Sequence, residues 1–156
     1  MEKCTNKQEK TAPGLPEQNR GHLFKGIIHA SMDAYDEAIK SLNDALKINK
    51  KCAEAYFHLG NIYLMMDQRA VGVENYNKAI SLGFDDPQLY YNLALMYEEE
   101  GKYDLAIRNY TKVILKDPLR SDARVRKATI YISSNKYPEA LETLNELILA
   151  DPDLYD

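Results

Sequence analysis

Pro87 to Arg120 reads PQLYYNLALMYEEEGKYDLAIRNYTKVILKDPLR, and this stretch decides the fold. In its first half Leu89, Tyr90, Leu93, Ala94 and Tyr97 recur at helical spacing; in its second half Ala106, Ile107, Tyr110, Val113 and Ile114 do the same. Gly101 between them can take the left-handed conformation that stops one helix before the next begins. Pro118 then forbids easy continuation. The pattern predicts two amphipathic helices of roughly 14 residues, a length at which an isolated helix is marginal in water. Such a pair must stack on something like itself.

The same text recurs at a fixed period on both sides. Tyr56 aligns with Tyr90, Leu59 with Leu93, Tyr63 with Tyr97 and Tyr131, Tyr76 with Tyr110, and Ala38 with Ala106 and Ala140. Gly26 and Gly60 align with Ala94 and Ala128, small residues where two helices cross closely. The inter-helix turn holds Asp33, Asp67, Gly101 and Asn135, all residue types that tolerate positive φ. Four copies in strict register occupy 19–52, 53–86, 87–120 and 121–154.

These residues resemble the tetratricopeptide repeat in period and in small/aromatic pattern. The resemblance covers 19–154 and implies an all-α fold, a right-handed α-α superhelix or solenoid of four helix pairs. It implies a non-catalytic scaffold or adaptor that binds a peptide or helical protein segment in a concave groove. Residues 1–18 are polar, without periodicity, and are expected to form a disordered leader. The alternative is that Leu15 and its neighbours fold back to cap the first repeat. Residues 155–156 stand where a missing repeat or a cap would start.

Composition agrees. The net charge of −4 disfavours a nucleic-acid backbone or an anionic membrane as ligand. No run approaches the apolar length of a membrane span. Two cysteines, Cys4 in a polar tail and Cys52 at a repeat junction, suggest neither a disulfide framework nor a metal knuckle, so a cytoplasmic location is expected. The weakest helix is the second of repeat two, where Arg69 replaces the tyrosine of Tyr35, Tyr103 and Tyr137 and Gly72 replaces alanine. A soft joint is expected there. Asp86 should cap the next helix with Pro87 in its first turn, and Ser121 or Asp122 should cap the helix of repeat four.

No catalytic constellation emerges, and no cofactor is expected. His22, His29 and His58 lack the carboxylates of a metal site, and there is no phosphate loop or nucleophile elbow. The Glu98-Glu99-Glu100 run reads as a solvated helix end.

In tetratricopeptide arrays the first helix of each repeat lines the groove. Carried onto this sequence, the resemblance places Phe57, His58, Asn61, Leu64, Tyr91, Asn92, Leu95, Val125, Arg126 and Thr129 there, with Phe57, Leu64, Tyr91 and Leu95 as anchors. One subgroup holds chaperone C-termini in a carboxylate clamp of two Lys, two Asn and one Arg. Asn61, Asn92 and Arg126 match three of those places, but Phe57 and Asp122 occupy the lysine places, so a co-chaperone role would rest on a degenerate clamp. A further alternative is self-association. Three rows are apolar in every repeat: Ile28, Ile62, Met96, Ile130; Ile39, Val73, Ile107, Leu141; and Leu46, Ile80, Ile114, Ile148. If each row is covered by the following repeat, then Ile130, Leu141 and Ile148 are exposed and can support a weak homodimer.

Overall fold

Helices form where the periodicity puts them. In the computed structural model, which describes residues 14–150, they are α1 (Leu15–Ser31), α2 (Tyr35–Ile48), α3 (Ala53–Met65), α4 (Arg69–Ser81), α5 (Pro87–Glu99), α6 (Tyr103–Lys116), α7 (Ser121–Ser133) and α8 (Tyr137–Ala150). Each odd-numbered helix packs on the even-numbered one that follows it, giving four helix pairs. The fold is all-α.

Every turn within a pair closes in the same way. Asp33, Asp67, Gly101 and Asn135 have φ of 57, 56, 71 and 57°, as the residue types at this position predict. The next N–H then reaches back over the helix end: Ala34 to the His29 carbonyl, Gln68 to Tyr63, Lys102 to Tyr97 and Lys136 to Tyr131, at 2.8–2.9 Å. This is the Schellman arrangement, which satisfies carbonyls left without a partner at a helix C-terminus. In three turns the reversing side chain is also used. Tyr35 donates to Asp33 at 2.9 Å, Tyr137 to Asn135 at 2.9 Å, and Arg69 to Asp67 at 3.0 Å. Arg69 therefore makes the contact of the tyrosine it replaces rather than losing it.

Helix entries differ. Asp86 caps α5, accepting from the Gln88 N–H at 2.8 Å ahead of Pro87. At α7 neither expected residue occupies the cap. Arg120 stands there without a side-chain cap bond, and Asp122 accepts from the Ala123 N–H inside the first turn. The first helix begins at Leu15, four residues before the expected start of the array, because Pro16 at its entry supplies a φ already suited to a first turn. Residues 1–13 and 151–156, including most of the expected leader and the 155–156 stub, lie outside the described residues.

The chain divides at Asp85/Asp86 into two compact units. In the first, Leu23 of α1, Ala38, Leu42 and Ala45 of α2, and Ala55, Leu59 and Ile62 of α3 form one buried cluster with Cys52. Close crossings depend on missing side-chain volume. A Cβ on Gly26 would stand 2.6 Å from the Leu42 side chain, and one on Gly60 would stand 2.5 Å from the Tyr76 ring. In the second unit Leu89, Leu93, Ala94, Ala106, Tyr110, Val113, Ala128, Ile130 and Ala140 are buried.

Two expectations are corrected. Within each unit the row containing Ile130 is covered by the preceding repeat, not the following one. Ile62 belongs to the cluster built with α1 and α2, and Ile130 is 2% exposed, whereas Ile28, with no described helix pair before it, is 59% exposed. Ile130 is thus no part of a free edge. In the other two rows Ile39 and Leu46 pack on the first-unit cluster, while Leu141 and Ile148 are 62% and 50% exposed. Secondly, Cys52 is fully buried and disulfide-bonded. The sequence holds one other cysteine, Cys4, which lies outside the described residues.

The two glycines of repeat two should answer differently to alanine. At Gly60 the added methyl meets a rigid ring, so Gly60→Ala should cost about 1–3 kcal/mol in denaturant titration despite better helix propensity. At Gly72 it meets the flexible end of Leu64 at 2.8 Å, so Gly72→Ala should fall within about 1 kcal/mol of the parent.

Candidate functional site

Tyr110 lies on α6 with its ring fully buried, one period after Tyr76 on α4. A buried hydroxyl must find a partner or carry a desolvation cost of about 1–3 kcal/mol. Tyr76 finds Asn61 of α3 at 2.5 Å, and Tyr110 finds Glu98 of α5 at 2.6 Å. Burial, then the bond to Glu98, pushes the Tyr110 hydroxyl far above its ordinary range. Both acceptors sit on first helices, on the face that the resemblance assigns to a groove.

In the second unit this acceptor anchors a cluster. Glu98 also accepts from Arg126 of α7 at 3.4 Å, and Arg126 lies beside Tyr91. The Tyr91 ring meets the Tyr110 ring edge-on at a centroid distance of 5.7 Å. Arg120 lays its guanidinium 3.9 Å from the Tyr91 centroid, within cation–π range. Arg120 further donates to Gln88 at 3.1 Å and to Asp122 at 3.1 Å, while Gln88 donates to Asn92 at 2.8 Å. Exposed Val125 and Thr129 and half-buried Leu95 lie on the same two helices, α5 and α7. The Thr129 hydroxyl is turned back to the Val125 carbonyl at 2.9 Å.

Of the residues expected here, Tyr91, Asn92 and Arg126 are thus brought into one network. Arg120 and Gln88 complete it and were not among them, while Glu98, which the family resemblance also turns towards the groove, is the shared acceptor. Glu98 is a half-buried acceptor, not part of a solvated run. The signal for it was present: tyrosine stands at 76 and 110 where the flanking repeats have Leu42 and Leu144, so two hydroxyls had to be satisfied. The arrangement can hold a planar or anionic group between guanidinium donors and an aromatic ring. It has no nucleophile with an adjacent base.

The first unit treats its share of the face otherwise. Phe57, expected as an anchor, is only 9% exposed because it stacks on Phe84 at 4.8 Å and approaches Tyr76 at 6.0 Å. Phe84 stands where Pro118 stands in the next repeat, so the unusual residue at this place fills a core. Leu64 leans on Gly72, and Asn61 is engaged by Tyr76. His58 is half-buried, and burial pushes its pKa down to about 4. With Asn61, Asn92 and Arg126 all bonded within the chain and no lysine at Phe57 or Asp122, a carboxylate clamp is not assembled. Among the described residues no group of three or more His, Cys, Asp or Glu is placed to hold a metal ion, and no helix is long and apolar enough to cross a membrane.

Models of the tetratricopeptide repeat match residues 53–85 and 97–156, and a TPR repeat model matches 26–67. The chain belongs to the tetratricopeptide repeat family. A crystal structure of MamA is similar over 88% of this chain and 80% of its own, with 26% identity and a TM-score of 0.76. PilF of Pseudomonas aeruginosa matches over 90% of this chain and 64% of its own at 18% identity and a TM-score of 0.72. A tetratricopeptide repeat protein of Parabacteroides merdae matches over 88% and 55%, at 18% and 0.77. The last two likenesses show the fold alone. No curated protein matches the chain. Tetratricopeptide repeats are in general protein-interaction modules and typically non-catalytic.

His58 gives this tetratricopeptide array a recognisable acid response. Its folded pKa lies below the unfolded value of about 6.5, so the unfolded chain binds a proton that the native chain refuses. The stability it contributes is present above about pH 6.5 and is lost as pH falls towards about 4. Urea titrations across that window should show a shallower loss in His58→Gln than in the parent.

Proposed function

We propose that this chain is a non-catalytic adaptor that holds a peptide or helical segment of a partner protein on the α5–α7 face of its second unit. The supporting observation is Tyr91, half-buried between two arginines whose carboxylate partners leave side-chain exposure of 47% at Arg126. Rigid aromatic and arginine groups in this arrangement are the usual carriers of binding energy at interfaces. Val125, Thr129 and Leu95 supply the apolar margin. The partner best suited carries an apolar residue beside a carboxylate, which Arg126 can take from Glu98 without new ordering.

A second reading is supported by α8. Leu141, Ile148 and Leu149 are all at least half exposed on one helix. Burial of such side chains contributes about 1.5–3 kcal/mol each, against an association cost of about 4–15 kcal/mol. That balance fits a weak two-fold homodimer through this face, with Ile130 taking no part.

Affinity capture followed by mass spectrometry tests the first reading. Val125→Glu and Tyr91→Ala should lose partners that Leu115→Glu, an exposed change on α6, retains. Retention by the first two variants and loss by the third would reverse the assignment. Light scattering over a wide concentration range tests the second: the parent should associate at high concentration and Leu141→Glu should do so less.

A further inference from the structure

A cleft of about 680 Å³ opens in the first unit, away from the α5–α7 face. Its floor is α3, through Tyr56, Leu59 and Tyr63; its walls are α2 and α4. Volumes of this order are typical of ligand-binding clefts. The α2 wall carries Lys40 and Lys47, Lys50 follows in the turn after α2, and the α4 wall offers Val71 and Asn75. Asp44 is the one carboxylate in the lining, and it is held by Lys47 at 2.8 Å. Lys40 and Lys50 make no ion pair among the described residues. Three cations against one anion leave the cleft locally positive in a chain whose net charge is −4.

Asp44 offsets part of that charge, through Lys47 first and Lys40 more weakly, and an excess of positive charge remains. Half-buried Tyr56 and Tyr63 and exposed Val71 add an apolar floor beneath the charges. An occupant complementary to both features is short, acidic and carries one or two large apolar side chains. The chain itself contains such a segment outside the described residues: Asp151-Pro152-Asp153-Leu154-Tyr155-Asp156. It has three carboxylates for three lysines, a leucine and a tyrosine for the floor, and a proline that discourages helix formation.

We propose that the acidic segment 151–156 of a second copy docks in the lysine-lined α2–α4 cleft. The carboxylates pair with Lys40, Lys47 and Lys50, and Leu154 and Tyr155 lie on Tyr56, Tyr63 and Val71. Each exposed pair is weak alone and screened by salt, so the interaction is reversible and electrolyte-sensitive. It is independent of both readings above, since it uses neither the α5–α7 face nor Leu141.

The test uses a fluorescent peptide of sequence DPDLYD and the full chain, with anisotropy as readout. The peptide should bind the parent, and binding should weaken about tenfold in Lys40→Glu/Lys50→Glu. It should also weaken as ionic strength rises from about 0.05 to about 0.5 M. NPNLYN should bind poorly, Val71→Glu should bind less well, and Leu141→Glu should bind as the parent does. In light scattering, the full chain bearing Asp151→Asn, Asp153→Asn and Asp156→Asn should associate less than the parent. No binding up to about 1 mM peptide, the weak end of measurable affinities, would overturn the proposal. Equal binding by the charge-reversed chain, or by NPNLYN, would do so too. A parent that stays monomeric while its cleft is closed to added peptide would also overturn it, by showing the chain's own segment in place.

Discussion

The contact between a side-chain-poor position on one helix and a large side chain on its partner governs the rest of this structure. Gly60 lets the Tyr76 ring lie against the α3 backbone, and Gly26 does the same for Leu42. Where the large side chain is leucine, the contact is complete in itself. Where it is tyrosine, a hydroxyl is carried into the interior, and a polar atom must be found for it. Asn61 and Glu98 are the two answers, and they decide how the first-helix faces of repeats two and three differ. At Asn61 the acceptor is a neutral amide. A carboxylate at Glu98 brings in Arg126, and through it Tyr91.

Most of the fold was legible because it depends on local rules that repeat. Positive φ at Asp33, Asp67, Gly101 and Asn135 follows from residue type, and four coincidences at one period leave little freedom of interpretation. The cap at Asp86 was equally local. What failed was directional. Ile28, Ile62, Met96 and Ile130 form an apolar row, but periodicity does not say whether the preceding or the following repeat covers it. Exposure of Ile28 at the beginning of the array answers that, and no pattern of apolar letters could have done so.

The site was less legible than the fold. Position within a helix states which face a side chain leaves from, not what it then meets. Phe57 and Tyr91 occupy the same place in successive repeats, yet Phe57 is closed over by Phe84 while Tyr91 is met by Arg120. The difference lies some 27 residues further on in the first case and 29 in the second, in the residues that end each repeat. A consensus carried over position by position misses this, because the loop after the second helix is its least constrained part.

Spent hydrogen-bonding capacity then separates a groove residue in name from one in fact. Asn61 and Asn92 both stand at places where the family can present amides to a ligand, and both are engaged within the chain. Releasing Asn61 would break its 2.5 Å bond from the Tyr76 hydroxyl, at a cost in the buried interior. Releasing Arg126 costs less, since its bond to Glu98 is long at 3.4 Å and Glu98 keeps the Tyr110 hydroxyl. An incoming carboxylate can therefore exchange for Glu98 at Arg126 without leaving a buried group unpaired, whereas no such exchange is open at Asn61. The same backbone is repeated with one hydroxyl's partner changed: a neutral amide in the first unit, a carboxylate shared with Arg126 in the second.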